Sequence, residues 1–423
     1  MFLKELQLTN FKCHRKLYLN FESTTTKSGI RKTTFLLGEN GTGKSALLKA
    51  AALVTAGSTA LSQVIENPDD WVTIGKPYCE IAATISTAQG EDRKISLRID
   101  RGSQISNILQ GNKESLDMID RAIAHADRNY FVVAYGSSRR LNNGSEFSLK
   151  KPRRKFPRTA NILSLFDLDA QLVSLAEWAI DLDYTGKDEG IRTVKRAFDA
   201  FLVDNVKFKE IDRQKKELLF STPDGKIPLS QMSDGYQNVA SWVGDMMYRI
   251  SETFRDFKDP LKARGLLLID EIDLHLHPKW QRQLHAFLAQ RIPNFQVIAT
   301  THSPLTAQQA NEDELYALRR VDKKVELTQF KGAPNKMLLH QILMSPVFGL
   351  ESDESLEIET AKSKIRETSL KSKKTPEDRA MIKKATQELG QTPLNTRSNG
   401  LLSDSDISLL KSINQALKTK TRK

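Results

Sequence analysis

The chain is 423 residues long and carries 64 Lys and Arg against 52 Asp and Glu, a formal net charge of +12 that favours an anionic partner such as ATP, nucleic acid or an acidic protein. Its length suffices for one large domain and an appendage, whereas two cysteines, Cys13 and Cys79, exclude a disulfide framework and a four-cysteine metal site. The sequence has neither a signal-peptide stretch nor an apolar run of about 18 residues, so we expect a cytoplasmic protein with no membrane partner.

The N-terminal residues predict an antiparallel β hairpin. Residues 2–8 and 17–21 both alternate apolar and polar side chains, and residues 10–12 lie between them. The sequence therefore predicts a small β subdomain at the N-terminus.

A phosphate-binding loop follows this hairpin. A short strand pattern at 34–37 meets Gly38, and a helical pattern begins after Gly43, Lys44 and Ser45, which is the strand–loop–helix context of the motif G-x-x-x-x-G-K-[ST]. Backbone N–H groups of such a loop surround a polyphosphate, and the helix N-terminus adds a positive dipole end. We expect an exposed Lys44 to contact the β- and γ-phosphates of ATP and the Ser45 hydroxyl to bind Mg²⁺. The predicted ATP-binding residues here are Gly38, Asn40, Gly41, Thr42, Gly43, Lys44, Ser45 and Ala46.

Strand and helix patterns alternate beyond this loop. Strand patterns cover 80–87, 94–100, 130–135, 217–221, 266–269 and 295–299, and helical patterns cover 114–127, 160–182, 190–204, 236–252 and 278–289. The segment 139–158 is strongly basic, with eight Lys and Arg and a single acidic residue. This alternation predicts a largely parallel α/β core with a helical insertion at about 139–205.

A second nucleotide-binding motif ends one of the apolar strands. The run 265–269 is followed directly by Asp270 and Glu271. Phosphoryl transfer depends mainly on positioning and charge neutralisation, so one well-placed carboxylate is sufficient. We expect Asp270 to orient Mg²⁺ through water and Glu271 to polarise the attacking water as the catalytic carboxylate.

The composition changes past Arg320. After a last strand pair, at 315–318 and 325–330, the chain becomes helical, and its acidic and basic residues are concentrated in separate blocks. We therefore divide the chain into an ATPase domain at 1–335 and a helical C-terminal appendage at 336–423.

The order of the motifs resembles that of ATPases of the ABC type, in the branch that holds the Rad50, SMC, RecF and OLD-like proteins. Residues 232–237 are similar to the signature loop of that branch, 274–278 to its D-loop and 300–304 to its switch-histidine loop. The resemblance covers about 1–330. It implies an α/β P-loop NTPase fold of ABC-ATPase type, with an N-terminal antiparallel β subdomain, a helical insertion and a C-terminal helical appendage.

The resemblance also implies that two copies close head to tail around two ATP molecules. Ser233, Gly235 and Gln237 would then bind the ATP held by the other subunit, and His302 would sense its γ-phosphate, joining Lys44 and Glu271 as a catalytic residue. Considered without the family, Ser233 and Gly235 are more simply a helix cap.

The glutamine loop of the branch is missing here. Its glutamine contributes to the Mg²⁺ site, but the strand at 130–135 runs into a segment that contains Ser137 and Arg139 and no Gln. Either one of these residues takes the place of the glutamine or the motif is misaligned. The second metal ligand therefore stays unassigned.

Two further patterns suggest chemistry that we do not favour. His275 and His277 have no third ligand nearby, so we interpret them as structural or interface residues rather than zinc ligands. Asp404 and Asp406 have the spacing of a Toprim nuclease motif, but they precede an amphipathic helical pattern and are better explained by a helix N-cap. We therefore expect no nuclease site in this chain.

We interpret the chain as a cytoplasmic Mg²⁺-dependent ATPase that forms a dimer, or a higher even-numbered oligomer, with ATP and controls a separate effector such as an HNH nuclease or a toxin. Within the branch it resembles the stand-alone ATPases of bacterial anti-phage defence, such as the Septu and retron-linked ATPases, and 337–350 adds a weaker resemblance. The alternative is a DNA-binding repair ATPase similar to RecF, which the basic segment 139–158 favours. Salt-dependent binding of DNA or another nucleic acid would separate the two.

Overall fold

The structure is a computed structural model of the chain. It describes residues 2–390 except 25, 27, 87–89, 125–130, 140–156, 174–178, 180–187, 203–205, 213, 216, 255–259, 323, 351, 353–354 and 370–374. Most of the basic segment, and both Asp404 and Asp406, lie outside the described residues. The chain divides into two compact units, Met1–Gly349 and Leu350–Lys423.

The helices and strands alternate along most of the first unit. The strands are β1 (Phe2–Phe11), β2 (His14–Asn20), β3 (Thr33–Gly38), β4 (Tyr78–Ser86), β5 (Asp92–Asp100), β6 (Val132–Tyr135), β7 (Lys207–Asp212), β8 (Glu217–Thr222), β9 (Gly225–Pro228), β10 (Gly265–Ile269), β11 (Phe295–Thr300), β12 (Leu315–Val321) and β13 (Lys324–Gln329). The helices are α1 (Lys44–Thr55), α2 (Ser58–Val64), α3 (Ile105–Gly111), α4 (Lys113–Ala124), α5 (Pro157–Phe166), α6 (Asp188–Phe201), α7 (Asp234–Thr253), α8 (Pro278–Gln281), α9 (Leu284–Arg291), α10 (Pro304–Ala307), α11 (Leu339–Leu343), α12 (Leu356–Ser369) and α13 (Pro376–Gly390).

The central sheet has the strand order β13-β12-β3-β11-β10-β6. Neighbouring strands are parallel except for β12 and β13, which form an antiparallel pair. Every residue of β10 and β11 is buried, which explains the apolar run of β10 and the mostly apolar sequence of β11. The carboxyl ends of β3, β10 and β11 meet at one edge, so the segments that follow these strands converge there. The predicted parallel α/β core is confirmed.

The N-terminal β subdomain is an antiparallel sheet of order β2-β1-β4-β5. Leu6 and Leu8 point into the core from β1. The buried amide of Gln296 on β11 joins the two sheets, because its Oε1 accepts from the Leu3 N–H at 2.7 Å and its Nε2 donates to the Leu3 carbonyl at 2.8 Å. The predicted hairpin and β subdomain are therefore confirmed.

Two segments that were predicted as continuous helices are interrupted in the structure. The pattern at 160–182 is interrupted because α5 ends at Phe166, where Asp167 Oδ1 accepts from the Asp169 N–H at 2.9 Å and stabilises a turn. The pattern at 278–289 is two short helices, α8 and α9, because the Gln283 N–H bonds to the carbonyl of Trp280, three residues back. The small antiparallel sheet β7-β8-β9 was predicted only at β8.

The second unit contains α12 and α13, which pack against each other. At the start of α13 the Thr375 N–H donates to Asp378 Oδ2 at 3.0 Å, and the Asp378 N–H donates to Thr375 Oγ1 at 3.2 Å. This reciprocal pair is a capping box that fixes the beginning of the helix.

The boundary between the units lies later than the one placed at 335/336 from the sequence. Segment 336–349 belongs to the first unit, where Ile342 is fully buried and Gln308 Nε2 donates to the Met337 carbonyl at 2.8 Å. Within the described part of the chain, no helix combines the length and apolar character needed to cross a bilayer.

Candidate nucleotide-binding site

The phosphate-binding loop connects β3 to α1. Gly41 and Gly43 have φ angles of 77° and 88°, in the left-handed region that favours glycine. A Cβ atom on Gly43 would lie 2.3 Å from Cys13 Sγ and 2.5 Å from His14 Nε2. Gly43 is therefore required both by its backbone conformation and by the close approach of the β1–β2 hairpin.

His14 packs against this loop and hydrogen-bonds to it, a role that the sequence patterns did not indicate. The ring is fully buried, and its Nε2 lies 3.0 Å from the Gly43 carbonyl oxygen. Because a carbonyl only accepts, Nε2 carries the proton in this bond. His14 Nδ1 has no partner among the described residues, and burial lowers the pKa of the ring. The geometry therefore favours neutral His14.

Lys44 begins α1 and reaches back across the loop. Its Nζ donates to the carbonyls of Gly38 at 2.8 Å and Glu39 at 3.0 Å. The expectation of an exposed Lys44 was wrong, since the residue is only 7% exposed. Burial lowers the pKa of the ammonium group, while Asp270 and Glu271 act in the opposite direction.

Ser45 and Asp270 meet at the edge of the central sheet. The Ser45 hydroxyl donates to Asp270 Oδ2 at 2.6 Å, and Thr300 at the end of β11 donates to Asp270 Oδ1 at 2.5 Å. Both carboxylate oxygens are thus held, one by the phosphate-loop helix and one by the neighbouring strand. Thr300 lies in the predicted switch loop, but the sequence assigned its hydroxyl no role.

Glu271 follows Asp270 in a strained backbone conformation. Its φ is 48°, which non-glycine residues adopt only when their surroundings enforce it. The Glu271 N–H donates to Thr300 Oγ1 at 2.7 Å, so one hydroxyl contacts both predicted carboxylate residues. The side chain is half-buried.

Arg139 occupies the region where a glutamine loop was expected. Its guanidinium donates to Asn238 Oδ1 at 2.7 Å, to the Glu271 carbonyl at 2.8 Å, to the Gly136 carbonyl at 3.0 Å and to the Asp270 carbonyl. A guanidinium has donors and no acceptor, so Arg139 cannot replace glutamine as a metal ligand. Burial lowers its pKa to about 10.

The predicted signature loop leads into α7. Ser233 is the N-cap residue by backbone conformation, but its side chain makes no capping hydrogen bond, so the helix-cap interpretation of its hydroxyl is not supported. A Cβ on Gly235 would lie 2.8 Å from the His275 carbonyl oxygen, so the helix start packs directly on the predicted D-loop. Gln237 Nε2 instead bonds within the loop, to the Met232 carbonyl at 2.6 Å.

The predicted switch loop is held by Asp273. Asp273 Oδ2 accepts from Thr301 Oγ1 at 2.5 Å and from Thr306 Oγ1 at 2.8 Å. Ser303 caps α10 through its side chain. His302 lies between these fixed residues, and its side chain is exposed.

The remaining predicted loop residues have mixed surroundings. Asn40 and Gly41 are exposed, Thr42 Oγ1 donates to the Glu39 carbonyl at 2.8 Å, and Ala46 is buried in the core. The sequence missed Arg320 on β12, which donates to the Gly41 carbonyl at 2.9 Å and brings a further positive charge to the loop.

The oxygen atoms at this site are suited to bind a magnesium ion. Ser45 and Asp270 present a hydroxyl and a carboxylate oxygen 2.6 Å apart, and Mg²⁺ binds oxygen ligands, often one or two protein groups together with substrate phosphates. The described residues contain no group of three or more His, Cys, Asp and Glu side chains arranged to hold a metal by themselves. His277 caps α8, its Nδ1 accepting from the Lys279 N–H.

Comparison with curated proteins confirms the resemblance to defence ATPases. The chain is 30% identical over 353 residues to Septu protein PtuA of Bacillus mycoides, covering 82% of this chain and 45% of that protein. It is 27% identical over 332 residues to Septu protein PtuA of Bacillus thuringiensis, covering 75% of each. It is 28% identical over 159 residues to the Retron Ec83 probable ATPase of Escherichia coli, covering 38% of this chain and 29% of that protein. The chain thus spans less than half the length of the B. mycoides relative.

Two family models match the chain and together include both nucleotide motifs. The model described as "AAA ATPase domain" matches residues 1–129, which contain the phosphate-binding loop. The model described as "AAA domain, putative AbiEii toxin, Type IV TA system" matches residues 93–307, from β5 to α10. This second model covers half of the chain, and the structure joins the phosphate loop and the Asp-Glu strand at one edge of an α/β sheet. The chain therefore belongs to the family of AAA domains that the second model describes.

Proposed function

We propose that this chain is a Mg²⁺-dependent ATPase that closes head to tail with a second copy around two ATP molecules and thereby controls a separate effector. The observation that carries the proposal is the hydrogen bond between Ser45 and Asp270 at 2.6 Å. It joins the phosphate-binding loop to the Asp-Glu strand, which is the pairing that nucleotide hydrolysis requires.

The residues around this bond suit distinct parts of the reaction. Ser45 and Asp270 would hold Mg²⁺, which neutralises charge on the β- and γ-phosphates when bound. Lys44 supplies a second positive charge to the phosphates. Glu271, fixed through its backbone and half-buried, would orient a water molecule and accept its proton.

The start of α7 supports the dimer. Ser233 is exposed and its hydroxyl is not used as a helix cap, and α7 is 20 residues long, so its N-terminus presents backbone N–H groups and a positive dipole end. Such a surface suits a γ-phosphate carried by a second copy. We therefore propose a homodimer, or a higher even-numbered oligomer.

Control of an effector is supported by the relatives. Two similar proteins are named as Septu proteins and another as a retron probable ATPase. We therefore propose that ATP binding and hydrolysis restrain or release a separate protein, such as an HNH nuclease or a toxin, rather than a catalytic site within this chain.

Phosphate release by the purified chain tests the ATPase. We expect turnover with Mg²⁺ and ATP, and its loss with EDTA or with Lys44→Ala, which should lower kcat by about 10³-fold because a phosphate-contacting cation is removed. Lys49→Ala is the matched control, since Lys49 lies on the same helix but its Nζ lies over the Phe166 ring, 5.7 Å from the ring centroid. Turnover of Lys44→Ala at the wild-type rate would refute the proposal.

A further inference from the structure

The Arg139 guanidinium connects three parts of the molecule that the sequence keeps far apart. Its acceptors are the Gly136 carbonyl after β6, the Asn238 side chain on α7, and the carbonyls of Asp270 and Glu271 after β10. The side chain is buried. Among the described residues its hydrogen-bond partners are neutral groups, while the Asp270, Glu271 and Asp273 carboxylates act on it only through their charge.

We propose that Arg139 is a positioning residue that couples the start of α7 to the Glu271 carboxylate, so that docking of α7 on a second copy sets the geometry of the chain's own hydrolytic site. This inference rests on the proposed function, because it takes α7 as the surface that contacts the nucleotide of the other copy. It gives Arg139 a role other than metal binding, because a guanidinium has no acceptor for a metal ion.

Arg139 acts on Glu271 through the backbone. The Glu271 N–H is held by Thr300 and the Glu271 carbonyl by Arg139, and between these two bonds the residue has a φ of 48°. A left-handed glutamate persists only where its surroundings fix it. The direction in which the Glu271 side chain projects from the backbone therefore depends on the position of the Arg139 guanidinium.

Asn238 provides the connection to α7. It lies on the second turn of the helix, is buried, and accepts from Arg139 with Oδ1 while Nδ2 donates to the Leu274 carbonyl at 3.3 Å. Gly235, one turn earlier, lies against the His275 carbonyl. A shift of the helix start is therefore transmitted to Glu271 through Arg139 and to the following turn through Leu274 and His275.

Helix α7, which carries Asn238, also contains an arginine that is as buried as Arg139 and can serve as a control. Arg249 is 8% exposed, as is Arg139, but it pairs with Asp245 and contacts neither carboxylate residue of the site. Arg139→Lys and Arg249→Lys make the same chemical change, because each keeps the charge and loses the planar fork of donors. Only the first change removes the proposed coupling.

The kinetic test measures single-chain binding of a fluorescent ATP analogue, kcat and KM. We expect Arg139→Lys to bind within about 2-fold of wild type and to lose on the order of 10² in kcat, since small misplacements of a reacting group cost rates of this size. Asn238→Ala, which leaves the carbonyl bonds of Arg139 intact, should lose about 10-fold by the same reasoning. Arg249→Lys should lower the Tm but keep kcat within about 3-fold, because Arg249 bonds to Asp245 and to neither Asp270 nor Glu271.

Hydrogen exchange gives a readout that needs no turnover. In the wild-type chain, Mg²⁺ and a non-hydrolysable ATP analogue should protect the peptides covering 234–240 and 270–276 together. In Arg139→Lys the protection of one peptide should no longer accompany protection of the other. In Arg249→Lys both peptides should still be protected together. Equal kinetic losses in both lysine variants, in proportion to Tm, or linked protection in Arg139→Lys, would overturn the coupling. A wild-type chain that binds but does not hydrolyse ATP would refute the proposed function, while the exchange comparison would still decide the coupling.

Discussion

The hydroxyl of Ser45 donates a 2.6 Å hydrogen bond to Oδ2 of Asp270, although 225 residues separate the two along the chain. The second oxygen of the same carboxylate accepts from Thr300, whose oxygen also accepts from the Glu271 N–H. One buried threonine therefore fixes both acidic residues relative to the phosphate-binding loop. We therefore expect the Thr300 hydroxyl to influence the rate of ATP turnover.

We expect Thr300→Val to lower kcat by about 10- to 100-fold, because the isosteric change frees the two carboxylate residues to shift. The loss of a buried hydrogen-bonding group should also cost about 1–3 kcal/mol of stability. Thr55→Val is the matched control, since Thr55 is equally buried and its hydroxyl bonds to the Ala51 carbonyl within α1 instead. Phosphate release and thermal unfolding of both variants check this, and equal loss of kcat in the two would contradict it.

Glu271→Gln should bind ATP and assemble but hydrolyse it very slowly. Glutamine keeps the size of the side chain and can still accept a hydrogen bond, but it lacks the charge that orients water and accepts its proton. Sedimentation with Mg²⁺ and ATP should therefore detect a stable dimer. The double variant Lys44→Ala/Glu271→Gln serves as the control and should remain unassembled. If Glu271→Gln behaves like this control, the carboxylate has been assigned the wrong role.

Mixed dimers test whether Ser233 acts across the interface. A bulky Ser233→Arg side chain at the start of α7 should prevent ATP-driven closure without weakening ATP binding to one chain. A forced heterodimer of Ser233→Arg with Lys44→Ala pairs one intact phosphate loop with one intact α7 start, so it should regain up to about half the wild-type rate if the sites are composite. Homodimers of either variant are the controls. No recovery in the mixed dimer would mean that Ser233 acts within its own chain.

The parts of the site that the sequence predicted are those with local patterns. The phosphate loop needs glycines at fixed spacing, and the Asp-Glu strand is an apolar run with a polar end, so both can be recognised without tertiary contacts. Arg139, Thr300 and His14 could not be assigned in this way, since each acts through partners distant in sequence and nothing in its local pattern names them. The break in 278–289 was missed for a similar reason, because the apolar spacing continues through it.

The buried ring of His14 predicts a stability change with pH. Its pKa is lowered in the folded chain from the ordinary value of 6.5 because burial disfavours the charged form. The unfolded chain therefore binds the proton first as the pH falls, so stability is unaffected well above pH 6.5 and is lost as the pH falls through this value towards the folded pKa. For one proton the slope is at most about 1.4 kcal/mol per pH unit.

His14→Gln isolates this contribution. The glutamine amide can still donate to the Gly43 carbonyl but does not titrate, so the difference in unfolding free energy between wild type and variant should change between pH 7.5 and 5.5 and stay constant at higher pH. Urea unfolding at a series of pH values measures it. A difference that does not depend on pH would show that His14 does not titrate in this range.

Truncation tests whether the second unit holds the effector. We propose that the region after Gly349 docks the separate protein, since the acidic and basic blocks there suit complementary patches on a partner, and Leu350 and Leu356 are exposed. A chain ending at Gly349 keeps every residue of the nucleotide site and the buried Ile342, so its ATP turnover should stay within about 3-fold of wild type. Co-purification of the separate effector should be lost.

A chain ending at Lys336 is the informative comparison. It also removes segment 337–349, whose Ile342 is fully buried and whose Met337 carbonyl accepts from Gln308. Deleting a buried isoleucine typically costs about 2–5 kcal/mol, so this shorter chain should be less stable even if the effector never contacts it. Undiminished partner binding by the chain ending at Gly349 would place the docking surface within the first unit instead, where Leu338 and Met344 are exposed.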